Sequence, residues 1–171
     1  MDIAVATRPV RPEDAEPFRR LWGRLSPDTV YRRFHAPLRC LPAGWLHRLV
    51  HVDHDRREAL VAVVGGEVVG VARYDRSPAD PATADLAVVV EDAWQGVGVG
   101  RQLLAEPTDL AARRGVATLT ASVQADNERA LGLARRLLPH ASLTPDGGVQ
   151  ALRSPAVRRT APTPAPTPVG A

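Results

Sequence analysis

The sequence predicts a mixed α/β fold in which a mostly antiparallel sheet of six to seven strands is flanked by about four helices. The first observation behind this prediction is size and composition, because 171 residues with 44% hydrophobic and 24% charged residues suit one globular domain. The second is a change in hydrophobic period along the chain. Apolar residues first recur at helical spacing, and Val-rich runs of strand length then alternate with helical stretches.

The N-terminal part of the chain predicts one short strand and three helices. Alternation from Val5 to Val10 is typical of a strand, and the acidic residues of "RPEDAEPF" suit the first turn of a helix. Ser26-Pro27-Asp28 begins a second helix, and "LPAGWLHRLVHV" has helical spacing. The next stretch, "EALVAVVGGEVVGVARYD", places two Val-rich runs around Gly65-Gly66 and predicts a β-hairpin.

The C-terminal part predicts alternating strands and helices. "TADLAVVVED", from Thr83 to Asp92, predicts a strand buried on both faces. A glycine-rich loop follows, and then a helix that ends near Arg114 with Gly115 as its C-terminal cap. Pro107 falls inside this helix, where it removes a hydrogen bond and predicts a kink. The stretches "VATLTASVQ", "NERALGLARRLL" and "ASLTPDGGVQALR" predict a strand, a helix and a final hairpin.

The composition changes at the end of the chain. Residues 154–171, "SPAVRRTAPTPAPTPVGA", are rich in Pro, Ala and Thr and lack the apolar residues that a packed core needs. We therefore expect a folded domain over residues 1–153 and a disordered tail over residues 154–171, whose removal leaves stability nearly unchanged.

Composition also excludes several classes of function. Cys40 is the only cysteine, which excludes an internal disulfide and a cysteine zinc cluster. All 22 basic residues are Arg, and without Lys neither a P-loop lysine nor a Schiff-base lysine is available. The Arg residues are scattered and the net charge is only +3, so we expect no nucleic-acid partner.

Neither a membrane nor a metal is expected as a partner. The chain lacks a signal-peptide pattern and an apolar run of about 18 residues, which favours a cytoplasmic location. His47 and His51 lie four residues apart on a predicted helix, but Arg48 follows where a metalloprotease helix has Glu. We expect ordinary surface histidines and no bound metal.

The stretch "QGVGVG" lies between the buried strand and the next helix. Its glycines at alternate positions match neither the dinucleotide fingerprint G-x-G-x-x-G nor a P-loop. A glycine loop that opens a helix points backbone N–H groups and the helix dipole at one spot, which suits a pyrophosphate. The alternative interpretation is a plain turn of small residues between a strand and a helix.

In this loop and in the order of its elements, the sequence resembles the GNAT family of N-acetyltransferases over roughly residues 7–153. The resemblance is greatest to the acetyltransferase domain of bacterial protein-lysine acetyltransferases. It is carried by "LSPDTVYRRFH", "HVDHDRREALVAV", "EVVGVARYDR", "ADLAVVVEDAWQGVGVGRQLL" and "ADNERAL". It implies the GNAT fold, acetyl-CoA as co-substrate and an amine as acceptor.

The resemblance also implies which residues hold the co-substrate. Backbone groups of Val88, Val89 and Val90 would pair with the pantetheine arm like an added strand, and one N–H would polarise the thioester carbonyl. Asn127 sits where the family has an asparagine that touches the cofactor arm, although Asn is also a favoured N-cap. The pyrophosphate would be taken by the loop and the start of the next helix: Gln95, Gly96, Val97, Gly98, Val99, Gly100 and Arg101.

Asp85 is the candidate catalytic residue. It lies in the apolar run "ADLAVVV", where a charge is costly without a partner or a function. The lysine acetyltransferases that the chain resembles carry a Glu here as proposed base, and Asp is one methylene shorter, so it would act through water. The alternative interpretation is that Asp85 begins the strand near the surface.

The acceptor is expected to be a protein lysine, with a small-molecule amine as the second possibility. A third interpretation is a catalytically degenerate module that binds acyl-CoA, because the stretch "LGLARRLLPH" lacks the Tyr that many GNAT enzymes use to protonate the thiolate. The oligomeric state stays open between monomer and homodimer.

Overall fold

The computed structural model describes residues 5–42 and 44–158. Five α-helices and seven strands are present over these residues, which matches the five helical stretches predicted one by one and exceeds the overall estimate of about four helices by one. In chain order they are β1 Ala6–Pro9, α1 Ala15–Arg24, α2 Pro27–Phe34, α3 Trp45–Val50, β2 Arg57–Val64, β3 Glu67–Arg76, β4 Thr83–Val90, α4 Val99–Arg113, β5 Thr118–Gln124, α5 Glu128–Leu137, β6 Ser142–Asp146 and β7 Val149–Pro155.

All seven strands form one sheet in the order β1-β2-β3-β4-β5-β7-β6. Every neighbouring pair is antiparallel except β4 and β5, which are parallel. The β2–β3 hairpin turns at Gly65 and Gly66, whose φ angles of 56° and 84° are those that a two-residue hairpin turn requires. The predicted mixed, mostly antiparallel sheet is therefore confirmed.

Helices cover both faces of the sheet, and β2 shows how the sequence achieves this. Leu60 and Ala62 belong to the core cluster that includes α4 and α5, whereas Ala59 and Val61 pack with α1 and α3. Successive strand residues point to opposite faces, so a strand covered on both sides needs apolar residues at every position. The near-continuous apolar runs of the sequence reflect this arrangement.

Helix α4 lies very close to the sheet. An added Cβ at Gly70 of β3 would stand 2.8 Å from Leu103 Cδ1 and 3.1 Å from the Val89 carbonyl oxygen. The helix continues through Pro107, which is buried, and the Thr108 hydroxyl donates to the Leu104 carbonyl at 2.6 Å. The helix ends at Arg113 and Gly115 follows with φ 87°, which confirms the predicted cap.

Two predicted boundaries need correction. Strand β4 ends at Val90, and Asp92–Trp94 form a 3-10 turn instead of its last residues. Strand β7 continues to Pro155, Ser154 is buried, and the Ala156 N–H donates to the Ala117 carbonyl at 2.9 Å. The domain boundary expected at residue 153 is therefore wrong. Residues 154–155 have the composition of the expected tail, but they belong to β7 and pair with β5. Of the expected tail, residues 159–171 lie outside the described residues.

No helix among the described residues is long and apolar enough to cross a bilayer.

We expect Gly70→Ala to destabilise the protein by about 1–3 kcal/mol, the usual cost of overpacking a core. Leu103 is fully buried and cannot swing away, and the Val89 carbonyl is held in the sheet. Chemical denaturation measures the loss. Gly23→Ala is the matched control, because Gly23 lies in α1 with nothing within 4 Å of an added Cβ. A Gly70→Ala protein as stable as the control would contradict the close approach.

Truncation after Arg153 should lower the melting temperature by about 4–8 °C, which corresponds to about 2 kcal/mol in a domain of this size. The truncation removes buried Ser154 and the end of the β5–β7 ladder. Truncation after Arg158 is the control and should leave the melting temperature unchanged. Equal melting temperatures for both truncated chains would restore the boundary expected from composition.

Candidate active site

The central feature of the site is the separation of β4 from β5. The two strands pair at only three register positions, which are Thr83 with Thr118, Ala84 with Leu119, and Asp85 with Thr120. Beyond these, β4 stays paired with β3, and β5 stays paired with β7. The edges of 86–90 and 121–124 therefore face each other across an open cleft, with backbone groups available to a ligand.

The glycine loop lies at the end of β4, beside the wide end of this cleft. Gly96 and Gly98 have φ angles of 80° and 96°, and no atom lies within 4 Å of an added Cβ at either position. Gly98 is the N-cap of α4 and has no side chain to satisfy the first N–H groups of that helix. Gly100 differs, because its Cβ would stand 3.4 Å from Leu133 Cδ2, so this glycine serves the packing of α5.

A cavity of about 480 Å³ flanks the first turns of α4, within the range of small-molecule sites. Free amides, the positive end of a helix dipole and open space where side chains would stand are what an anionic diphosphate requires. The residues present therefore fit the pyrophosphate of a coenzyme A thioester. The cavity is lined by Val5, Val97, Gly98, Val99, Arg101, Gln102 and Ala105.

Gln95, the first residue of the stretch "QGVGVG", anchors the glycine loop to neighbouring elements. Its Nε2 donates to the Val90 carbonyl at 3.0 Å and to Thr29 Oγ1 at 3.1 Å. Its Oε1 accepts from Arg129 at 3.2 Å. The side chain thus joins the loop to β4, α2 and α5, and its contacts are with protein groups.

Asn127 follows β5 and opens α5. Its Oδ1 accepts from the Ala130 N–H at 3.1 Å, which confirms the N-cap interpretation. Contact with a cofactor arm stays a prediction.

Helix α2 is tied to both walls of the cleft. At its start, the hydroxyls of Ser26 and Thr29 donate to Asp92, just beyond β4, at 2.7 and 2.8 Å. At its end, His35 Nδ1 lies 2.8 Å from Gln124 Nε2 on β5. These two anchors connect α2 to the ends of β4 and β5.

Asp85 lies at the apex of the cleft, in the last β4–β5 pair before the strands separate. Thr120 Oγ1 donates to its carboxylate at 3.1 Å, and Asp75 is its register partner on β3. The residue is exposed to solvent within the cleft, and the surrounding walls desolvate the carboxylate. This desolvation of the carboxylate raises the pKa of Asp85 above its usual value, while the hydrogen bond from Thr120 and the charge of Arg33 act in the opposite direction. A carboxylate with a raised pKa is a better proton acceptor.

Sequence reasoning missed the neighbours of Asp85. Thr120 could not be found, because nothing local specifies the parallel register that places it beside Asp85. Arg33 and His35 come from α2, which the sequence predicts as a helix without showing what it faces. The one signal in the sequence for these neighbours is the positively charged stretch "YRRFH", which ends a helix that also carries apolar residues.

His47 and His51 are both exposed, which confirms that they are surface histidines. His47 and His51 stack with ring centroids 3.8 Å apart, and His51 Nδ1 contacts the His47 carbonyl at 3.0 Å. No group of three metal-ligating side chains occurs among the described residues. Of the two tyrosines, Tyr74 is buried with its hydroxyl on the Asp55 carbonyl and Tyr31 is exposed on α2.

Comparison with known proteins places this geometry in a family. Residues 14–138 match the model of the Acetyltransferase (GNAT) family. The chain therefore belongs to the GNAT family of acetyltransferases.

Three proteins illustrate what the chain is similar to. Acetyltransferase PA5475 of Pseudomonas aeruginosa is 34% identical over 115 residues, which cover 65% of this chain and 61% of that protein. The GNAT domain of S. lividans PAT superposes with a TM-score of 0.80 at 30% identity, covering 88% of this chain and 90% of that one. The yncA acetyltransferase from Salmonella typhimurium, solved with its cofactor acetyl-CoA, superposes with a TM-score of 0.73 at 20% identity, covering 95% and 99%. This last likeness shows the fold alone.

We expect acetyl-CoA to raise the melting temperature of the wild-type protein by mass action, and Gly98→Asp to abolish that shift. The added carboxylate would stand in the open space of the loop and repel the pyrophosphate. Thermal denaturation with and without millimolar acetyl-CoA measures the effect.

Gly115→Asp controls for backbone strain and charge, because Gly115 also has a left-handed φ, 87° against 96° at Gly98, and lies beyond the other end of α4. This variant should keep the full ligand shift. A wild-type protein that shows no shift would contradict the assignment of the loop.

Proposed function

We propose that this protein transfers an acetyl group from acetyl-CoA to a primary amine, and that Asp85 takes the proton which the amine must lose. The observation that carries the proposal is the position of two features in one cleft. The glycine loop adjoins its wide end, and a carboxylate of raised pKa lies at its apex. A protein lysine is the proposed acceptor, supported by the likeness to the S. lividans PAT domain.

The cleft supports a division of roles among its residues. The β4 edge at Val88, Val89 and Val90 is unpaired with β5 and would pair with the pantetheine arm. The groups that would do so exclude the Val89 carbonyl, which is held in the sheet, and the Val90 carbonyl, which accepts from Gln95. The loop from Gly96 to Gly98 and the first turn of α4 would hold the pyrophosphate. Arg101 lines the cavity beside this turn, and Asn127 opens helix α5. Bound acetyl-CoA supplies the activated thioester carbonyl, and an N–H of the β4 edge would stabilise the charge that develops on its oxygen.

The remaining chemical task of the protein is to remove a proton from the attacking amine. An ammonium group cannot attack a carbonyl, so a base must accept a proton before or during the attack. Thr120 on β5 donates a hydrogen bond to one oxygen of the Asp85 carboxylate and so restrains the orientation of this side chain. Because Asp is shorter than Glu, an ordered water between Asp85 and the amine would complete the relay. For the departing thiolate no acid is assigned, since α5 has no Tyr among its residues.

Two alternatives remain distinct from this proposal. A small-molecule amine would use the same cleft and the same base. A degenerate module would bind acyl-CoA through the glycine loop and leave Asp85 without a catalytic function. Turnover of acetyl-CoA with a panel of proteins and small amines separates all three. A cytoplasmic location is part of the proposal, since acetyl-CoA is the co-substrate.

We expect Asp85→Asn to lower kcat by about 10²-fold or more, the usual contribution of a general base. Acetyl-CoA affinity should stay within a few fold, because backbone groups hold that ligand. Asp85→Glu should be tolerated, since it extends the carboxylate towards the position that the water would occupy. Steady-state kinetics and calorimetric binding measure the two effects.

The pH profile gives an independent readout. A base acts when deprotonated, so kcat/KM should rise with pH as Asp85 ionises. Because burial raises its pKa, this limb should lie above the ordinary value of 3.8 and be absent from Asp85→Asn. Glu16→Gln, on the outer face of α1, makes the same carboxylate-to-amide change and should retain the limb. An Asp85→Asn protein with an unchanged rate per folded molecule would refute the catalytic role.

A further inference from the structure

A small, mostly apolar cavity lies on the α1–α2 side of β4. Its volume is about 40 Å³, enough for a carboxylate or about three to four water molecules at about 10–15 Å³ each. Two arginines, Arg33 and Arg73, line this otherwise hydrophobic space. The remaining lining residues are Phe18, Leu21, Trp22, Leu25, Phe34, Leu41, Leu49, Val71, Ala87 and Val89.

Arg33 is the unusual member of this lining. It is half-buried on α2 and its guanidinium stacks on the Phe34 ring at 4.7 Å from the centroid. Among the described residues, no carboxylate lies within ion-pair distance of it. Burial and the charge of Arg73 lower its pKa to about 10, so the cation is poorly compensated where it stands.

The neighbouring charges leave a positive excess. Arg73 is 6% exposed and pairs with Asp75 at 2.9 Å, and Arg57 pairs with the same carboxylate at 3.0 Å. Asp85 acts on Arg33 through its charge without contacting it. These three guanidinium groups carry one more charge than the carboxylates of Asp75 and Asp85, so one positive charge has no negative partner. A charge enclosed by apolar side chains favours a bound anion over an empty pocket.

The cavity and the proposed base share one face of β4. Residues two apart on a strand point the same way at a spacing of about 7 Å. Asp85, Ala87 and Val89 follow this spacing, and Ala87 and Val89 line the cavity. An acceptor whose amine lies at Asp85 would therefore reach Arg33 with a group a few atoms away.

We propose that Arg33 binds a carboxylate carried by the acceptor, so that the preferred substrates are amines with a carboxylate a few atoms from the nitrogen. This inference rests on the proposed function, because it assumes that the amine is presented to Asp85. The Asp85 carboxylate and the Arg33 guanidinium form a pair complementary to an ammonium and a carboxylate on one molecule. The same chemistry is available from a free amino acid or from a peptide with an acidic residue beside its lysine.

The test compares acceptors that differ only in this carboxylate. β-Alanine against β-alaninamide represents the small-molecule source, and capped tetrapeptides containing Glu-Lys against Gln-Lys represent the polypeptide source. In at least one pair, we expect the carboxylate member to have a kcat/KM about tenfold higher in the wild-type enzyme. Arg33→Met should remove this preference, so that the two members of the pair are acetylated with similar kcat/KM.

Matched controls separate this effect from folding and from overall charge. Arg39→Met removes the same charge from an exposed position between α2 and α3 and should keep the preference. Retention of the acetyl-CoA melting shift shows that Arg33→Met is folded, and Arg33→Gln replaces it if that shift is lost. A preference that persists in the folded Arg33 variant, or its absence from both wild-type pairs, overturns the inference.

A binding readout makes the inference independent of turnover. N-acetyl-β-alanine and the acetylated Glu-Lys peptide are the products of the carboxylate acceptors, and calorimetry measures their affinity. If no amine is acetylated, the proposed function fails, whereas binding of either product to wild type and its loss in the Arg33 variant would still support the carboxylate site. Equal binding by both proteins, or none by either, overturns it. A preference for succinyl-CoA over butyryl-CoA that depends on Arg33, without an acceptor preference, also overturns it.

Discussion

The three-residue pairing between β4 and β5 is the constraint on which the site depends. A fully paired sheet would bury the backbone groups of Leu86 to Val90 in a ladder and leave nothing for a ligand. Because pairing stops at Asp85 and Thr120, the strands diverge and an edge opens in the middle of the sheet. Exposed edges are normally hazards for aggregation, and here α2 is anchored beside the opening through Asp92 and Gln124. The same divergence places Asp85 at the apex.

The electrostatics of the cleft follow from this geometry. At its wide end, the N-terminus of α4 provides a positive dipole and uncapped N–H groups. On the α2 side, Arg33 and Arg73 add positive charge in an apolar environment. Asp85 stands between these regions, and desolvation raises its pKa in spite of the nearby cations. The site therefore favours anions at its two sides and a proton at its apex.

Elements could be predicted from the sequence where one residue determines its own conformation. Gly65-Gly66, Gly115 and Asn127 are such cases, since a left-handed turn, a helix end and an N-cap depend on local chemistry. The contact of Thr120 with Asp85 could not be predicted, because a parallel register is specified by the packing of distant elements. The error at Ser154 has a similar cause, since a Pro- and Ala-rich segment joins the sheet when β5 offers it a partner.

The co-substrate side and the acceptor side of the cleft differ in how well their function can be predicted from the sequence. On the proposed co-substrate side, the contacts are assigned to backbone groups, and glycines such as Gly96 and Gly98 mark those positions directly in the sequence. The proposed pyrophosphate contacts are made by backbone groups, so the family resemblance is informative for this side of the cleft. On the acceptor side, the groups are side chains of a short helix, among them Arg33 and His35, whose identity can change without altering the fold. Family membership therefore defines the donor, and the acceptor must be deduced from the charges that face Asp85.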